Sequence, residues 1–356
     1  GLNCFDGLGF TIYRSAPEDT ATLSHNWIWD IAEDSSRNLW IATWNGLTKY
    51  DRSRGTFQRF LPDSADNRSI SGSRPASLVR DTRGQIWVGI WGGGLNVLDP
   101  QTGLFTRYRA AEEPGLNYPG DFVRKLYIDR EGCVWIGTWN GLWRCRVEPD
   151  SSLEFDSFMH DPEDPASISS MRITSFCEDQ QGNLWIGTLG GGLNLFDRER
   201  NLFVRYMHDP DDVTSLSSND IASLEQLGEG SLWVGTVASG LNRFDLNKGS
   251  ITRFSNDPSD PASLASDNVY SLFADRGGML WVGAGGLNLF NPDLLRFKPT
   301  GTIAALKDEV EGLAVYAIFE DSQGYLWAGT MGDGVARLHP GSGDVHWFRH
   351  RRDQAN

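Results

Sequence analysis

Little in this 356-residue chain invites chemistry or a membrane. Its four cysteines, Cys4, Cys133, Cys145 and Cys177, form no C-x-x-C pair and keep no regular spacing. That excludes a zinc ribbon and favours small structural side chains, two of them (Cys133 and Cys177) on expected strands. No stretch approaches about 18 apolar residues, so no helical membrane span is expected. No charged-then-apolar leader opens the chain, so an export signal would lie outside this segment. Positive charge is short: 32 Lys and Arg stand against 47 Asp and Glu, for a net charge of −15. Nucleic acid and anionic membranes select basic surfaces, so neither is expected as a partner. Catalytic signatures are missing too, with no H-E-x-x-H, Walker loop or G-x-S-x-G. The six histidines include His160 and His208 in equivalent His-Asp-Pro connectors, which read as scaffold; the others are His25, His339, His346 and His350. Gly92-Gly93-Gly94 and Gly190-Gly191-Gly192 join strands with no helix following, so they read as hairpin turns and not as phosphate cradles. The recurring Asp-x-x-Gly (Asp81, Asp129, Asp179, Asp275, Asp321) offers one carboxylate per turn. Calcium takes about six to eight oxygens, so no metal or cofactor is expected.

What the chain does have is repetition. Trp40, Trp87, Trp135, Trp185, Trp233, Trp281 and Trp327 stand 46 to 50 residues apart in one short phrase, close to Asp-x-x-Gly-x-Leu-Trp-(Ile/Val)-Gly-Thr. A period near 48 with one apolar phrase per unit marks a repeat architecture. Aromatics at 12% are ample for a core.

The fourth unit shows the pattern. It predicts strands at Ile173–Cys177, Asn183–Thr188, Leu193–Asp197 and Leu202–Tyr206, separated by Gly- and Asp-rich turns, which is an antiparallel meander. Leu184, Trp185 and Ile186 are consecutive apolar residues where a one-sided sheet would alternate, so both faces must be covered. A four-stranded sheet covered on both faces by copies of itself is a β-propeller blade. The expected class is therefore all-β: one β-propeller over 1–356, of seven four-stranded blades, with eight as the alternative. The glycine two after each tryptophan (Gly89, Gly137, Gly187, Gly235, Gly283, Gly329, with Ala42 in the first unit) fits close approach by the neighbouring blade.

Both ends fall inside a unit. Residues 1–23 read as a leading half-repeat, because Gly1-Leu2-Asn3-Cys4-Phe5-Asp6 copies the third-strand phrase at Gly240–Asp245. Residues 24–349 hold seven full repeats, and 350–356 begin another connector. The segment is thus expected to belong to a larger array.

The phrases Asn183-Leu184-Trp185-Ile186-Gly187-Thr188 and Gly191-Gly192-Leu193-Asn194-Leu195-Phe196-Asp197, with the connector Asp257–Leu264, resemble the two-component regulator propeller repeat. The resemblance covers essentially the whole chain. It implies a non-catalytic sensor region on the periplasmic or extracellular side of a membrane-anchored bacterial signalling protein. Such regions come as propellers in tandem followed by a β-sandwich, a membrane helix and an output domain, usually a histidine kinase, and several members respond to oligosaccharides. It also implies a neighbouring propeller or sandwich of the same chain as partner, and dimerisation. The fifth unit departs from the pattern with Leu227 in place of the turn aspartate, and the sixth with the short turn Ala284-Gly285-Gly286. Two alternatives stay open: an enzyme similar to the streptogramin-type lyases, and a pure docking scaffold.

If repeated residues are scaffold, recognition belongs where the repeats disagree. Four residues after the blade tryptophan stand Trp44, Trp91, Trp139, Leu189, Val237, Gly285 and Met331. Thirteen before it stand Trp27, Arg74, Phe122, Arg172, Asp220, Asn268 and Ala314. Both columns are expected on one rim beside the channel. Trp44, Trp91 and Trp139 are the candidate aromatic platform for a sugar face, near Trp27 and Phe122, with Arg74, Arg172, Asn45 and Asn140 as hydrogen-bonding neighbours. Packing between blades is the competing role for these indoles.

Overall fold

A computed structural model describes residues 19–108, 120, 122–148, 150, 152–290, 314–322 and 324–331, together with the backbone of strands Leu2–Phe5, Phe10–Tyr13, Leu287–Asn291, Arg296–Pro299, Val335–Leu338 and Val345–His346. Among the described residues every regular element is a strand. They form seven four-stranded antiparallel sheets in meander order, plus a separate hairpin in which Leu2–Phe5 pairs with Phe10–Tyr13. The fourth sheet runs Ile173–Glu178, Leu184–Thr188, Leu193–Asp197 and Leu202–Tyr206, within a residue of the sequence reading. The connector expected at 350–356, with His339 and His350, lies outside the described residues.

The sheets are blades of a propeller. Each first strand packs on the first strand of the next sheet, and Val315–Glu320 of the seventh packs on Ile28–Glu33 of the first. Every residue of the second strands Leu39–Thr43, Ile86–Ile90, Val134–Thr138, Leu184–Thr188 and Leu326–Thr330 is buried, as consecutive apolar residues require. The periodic tryptophans are wedges. Trp185 is 3% exposed and packs among Ile221, Leu224, Leu232 and Val234 of the following blade. Trp327 packs in the same way among Ile28, Ile31, Leu39 and Ile41 of blade 1, sealing the ring.

The glycines after them explain how close the blades come. A Cβ on Gly137 would lie 2.6 Å from Ile173 Cγ2, and one on Gly283 would lie 2.6 Å from the Val315 carbonyl oxygen. One on Gly329 would meet Ile28 Cγ2 at 3.3 Å across the closing seam.

A second device was present in the repeat phrase but not foreseen. The turn aspartate lies six residues before the wedge and accepts its indole N–H. The Trp40–Asp34, Trp87–Asp81, Trp135–Asp129, Trp185–Asp179, Trp281–Asp275 and Trp327–Asp321 bonds measure 2.7–3.0 Å. The other carboxylate oxygen accepts backbone N–H groups of the turn, such as those of Gln181 and Asn183. Each aspartate thus shapes its hairpin and satisfies a buried donor that would otherwise cost about 1–3 kcal/mol. In blade 5 Leu227 stands in that place.

Polar contacts cross the seam as well. Arg52 of blade 1 reaches Asp321 at 2.9 Å, and Glu33 accepts the Ser322 hydroxyl at 2.7 Å. Arg198 plays the Arg52 part between blades 4 and 3, bonding Asp129 and Glu178, each at 3.0 Å. His160 and His208 are scaffold: their Nδ1 atoms bond the connector carbonyls of Ile168 and Leu216. Cys133 precedes its strand and does not fall within it, whereas Cys145 and Cys177 are buried in strands; all three are free thiols.

Candidate ligand-binding site

The first strand of nearly every blade carries a bulge. In blade 1, Ile28 pairs with Thr43 and Asp30 with Ala42, so Trp29 is skipped. Blades 2, 3, 4, 5 and 7 skip Ala76, Arg124, Thr174, Ala222 and Tyr316 in the same way. A bulge adds one unpaired residue, bends the strand and re-aims the side chain. Those six residues, with Tyr270 from blade 6, all line the central lumen. Every one stands eleven residues before its blade tryptophan.

The lumen is uneven. Trp29, Tyr316 and Tyr270 form a run: Trp29 meets Tyr316 edge-on at 5.6 Å, and Tyr316 stacks on Tyr270 at 4.7 Å. Arg124 lies 5.6 Å over the Trp29 ring. The small residues Ala76 and Ala222 flank this run in blades 2 and 5, with Thr174 in blade 4.

Above this layer sits the rim. The two columns singled out in the sequence are joined by backbone bonds in blades 1, 2, 4, 5 and 7: Trp44 N–H to Trp27 O, Trp91 to Arg74, Leu189 to Arg172, Val237 to Asp220 and Met331 to Ala314. They do share one rim. Trp44 stacks on Trp29 at 6.1 Å and takes the edge of Trp27 at 5.0 Å, while Arg74 lies 4.5 Å over its face. Trp91 meets Phe122 and Trp139 edge-to-face at 5.7 and 4.8 Å. The indoles therefore make a faceted wall and not one plane, because adjacent rings prefer edge-to-face contact over coplanar sharing. Trp139 is 45% exposed and Phe122 50%. Asn45, Asn140 and Arg172 are exposed on the rim, with Arg172 lying over Gly190.

The structure brings Trp44, Arg74 and Trp91 together with Trp29, Ala76 and Arg124 around a cleft of ≈ 190 Å³. Trp29 and Arg124 were missed in the sequence. Reading the column eleven before the tryptophan would have found them, since Trp, Arg and two Tyr there break the small-residue pattern.

The electrostatics are specific. Asp30 accepts from Ser77 Oγ at 2.9 Å and Leu78 N at 3.0 Å and pairs with Lys125 at 3.5 Å. Burial lowers the Arg124 guanidinium from its ordinary value, and burial with the neighbouring Tyr270 raises the Tyr316 phenol. Burial likewise lowers the His25 imidazole, whose Nδ1 accepts the Trp27 N–H at 2.9 Å. Deeper in the ring, burial lifts the Glu225 carboxyl to about 8, a backbone bond from Gln226 and the charge of Lys125 opposing it. Glu225 is thus protonated in the fold at neutral pH and ionised once unfolded. The unfolded state then binds fewer protons between its pKa near 4.5 and the folded value near 8, so this group makes stability fall as pH rises through that window. Glu225→Gln is expected to flatten that decline. Urea midpoints at pH 5 and pH 8 check it; an unchanged difference between the two would contradict the assignment.

One acidic group resembles a metal site. Ligand atoms of Asp129, Glu131 and Cys133 lie within 4.8 Å of one another. Arg198 already bonds both carboxylates, at 3.0 and 3.2 Å, so the cluster is an ion-pair network.

With this geometry in view, four stretches of the chain, residues 22–45, 117–140, 167–190 and 310–332, match the family model described as "Two component regulator propeller". These four stretches are similar to two component regulator propeller repeats. They fall in blades 1, 3, 4 and 7. No curated protein sequence matches the chain. Among solved structures it is similar to the extracellular domain of BT4673 of B. thetaiotaomicron, assigned to a one component system, at 23% identity and TM-score 0.53. That match covers 92% of this chain and 44% of that one. It is also similar to virginiamycin B lyase from Staphylococcus aureus at 14% identity and TM-score 0.59, covering 86% and 92%. PorZ, a surface component of the type-IX secretion system of Porphyromonas gingivalis, matches at 18% identity and TM-score 0.52, covering 90% and 50%. At these identities the likeness is one of fold. The chain spans less than half of the first of these structures.

Proposed function

We propose that this propeller is an extracytoplasmic ligand-binding module of a membrane-anchored signalling protein, and that it recognises an oligosaccharide at the channel mouth. One observation carries the reading: the regular positions of the repeat build the ring, while Trp29, Trp44 and Trp91 break the pattern together and line a single cleft with two arginines. Indole faces beside hydrogen-bonding groups suit the apolar face of a sugar ring. The family and the extracellular domain of similar fold support placement outside the cytoplasm. In this reading the output domain, the membrane segment and a neighbouring propeller or sandwich belong to other parts of the protein, and dimerisation is one way of passing the signal on.

Binding without turnover fits the groups present. Among the described residues the cleft offers Trp, Arg and Ala, whereas hydrolase- or lyase-type acid–base work wants a histidine–acid pair. His25, the nearest rim histidine, is engaged at Nδ1 by Trp27.

Calorimetric titration with a panel of neutral and acidic plant and host oligosaccharides tests the proposal. Trp91→Ala is expected to weaken the best binder at least tenfold with the fold intact by circular dichroism. Undiminished binding would remove the cleft from the account.

A further inference from the structure

We infer that the channel-mouth cleft is built for an anionic saccharide, with Arg124 and Arg74 gripping a carboxylate or sulfate while the indoles hold the ring that carries it. This rests on the saccharide reading above and narrows it.

Among the described residues Arg124 lacks a protein partner for its charge. Its guanidinium lies deep in the ring, and the groups around it are the Trp29 face and the Tyr316 phenol. Among the described residues no carboxylate or carbonyl pairs with it. Other half-buried arginines of this chain meet carboxylates or carbonyls: Arg52 bonds Asp321, Arg198 bonds Asp129, Glu131 and Glu178, and Arg205 bonds the connector carbonyls of Ser167 and Asp164. A planar cation with five donors, partly buried and left without a protein acceptor, is ready to be completed by an anion from outside.

Arg74 repeats the arrangement one blade away. Its guanidinium is stacked on Trp44 at 4.5 Å and likewise has no acceptor among the described residues. Both arginines line the same cleft.

Local charge points the same way. The nearby pair Asp30 and Lys125 cancels internally at 3.5 Å. Glu225, the other acid close to Lys125, is held protonated near neutral pH by burial. Asp220 sits on the rim of blade 5, away from blades 1–3. Two positive charges therefore remain at the mouth of a molecule whose net charge is −15. A guanidinium fork meets a carboxylate or sulfate with paired hydrogen bonds, and stacking on an indole fixes its plane beforehand.

The test is isothermal titration of the whole chain with three trisaccharides: α-1,4-trigalacturonate, its carboxyl-reduced neutral galactose counterpart, and a sulfated galactose trisaccharide. The expected result is at least tenfold tighter binding of one anionic probe than of the neutral one, with that preference shrinking as salt rises from 50 to 300 mM. Arg124→Gln and, separately, the exposed Arg74→Gln should each remove most of the preference for the anionic probe over the neutral one, and Arg124→Lys should restore part of it. The carboxylate and sulfate arms tell the two anion sources apart. Neutral binding equal to or tighter than both anionic arms would overturn this inference and leave the saccharide reading standing. Failure of all three probes to bind would overturn both.

Discussion

Trp185→Ala is expected to lower the unfolding free energy by roughly 3–5 kcal/mol, the usual range for an aromatic removed from a packed core. The indole is 3% exposed and lies between blades 4 and 5. Truncation removes the packing surface that joins two sheets, and the gap cannot collapse readily because each sheet is held by its own hydrogen-bond ladder. It also strips Asp179 Oδ2 of the indole N–H at 2.9 Å, leaving only the Asn183 amide at 2.8 Å on that oxygen. Equilibrium urea unfolding followed by far-UV circular dichroism measures the loss. A cost below about 1 kcal/mol would mean that the side chain does not join the blades.

Gly235→Val is the second large effect, and it works by the opposite mechanism. A Cβ at this position would approach the Ser223 hydroxyl too closely, lie 2.6 Å from Val269 Cγ1 and 3.0 Å from the Val269 carbonyl oxygen. Two of these obstacles belong to blade 6, and one is backbone, so relief requires moving one blade away from another. Overpacking of a core typically costs about 1–3 kcal/mol, and a branched side chain against backbone should reach or exceed the upper figure. Blade 1 tolerates Ala42 at the equivalent position, where the following blade presents Pro75. Ala42→Gly is accordingly expected to bring no comparable gain. A melting temperature for Gly235→Val within a degree of the parent's would contradict the close approach.

The scaffold was legible because its physics is local and repeated. A run such as Leu184-Trp185-Ile186 can only be a strand buried on both faces, and a glycine two residues on can only mark a near neighbour. The site was half legible. The rim columns headed by Trp27 and Trp44 are joined by backbone bonds as their register requires. The lumen column was hidden by the bulge. Strict alternation assigns faces by parity, and the extra residue at Trp29, Arg124 and Tyr316 resets that parity within the strand. The aspartate–indole bond was missed for a different reason: the turn role of Asp179 is sufficient for the residue type, so nothing in the spacing demanded a second partner.

Whether the wheel closes on itself is the claim that the rest depends on, and the seam between blades 7 and 1 is where it can fail. Urea unfolding of Trp327→Ala beside Trp185→Ala tests it most directly. Trp327 is fully buried against Ile28, Ile31 and Leu39, so a closed ring predicts losses for the two variants that agree within about 1 kcal/mol. A loss below about 1 kcal/mol for Trp327→Ala, alongside the full 3–5 kcal/mol for Trp185→Ala, would show an open ring and contradict the account.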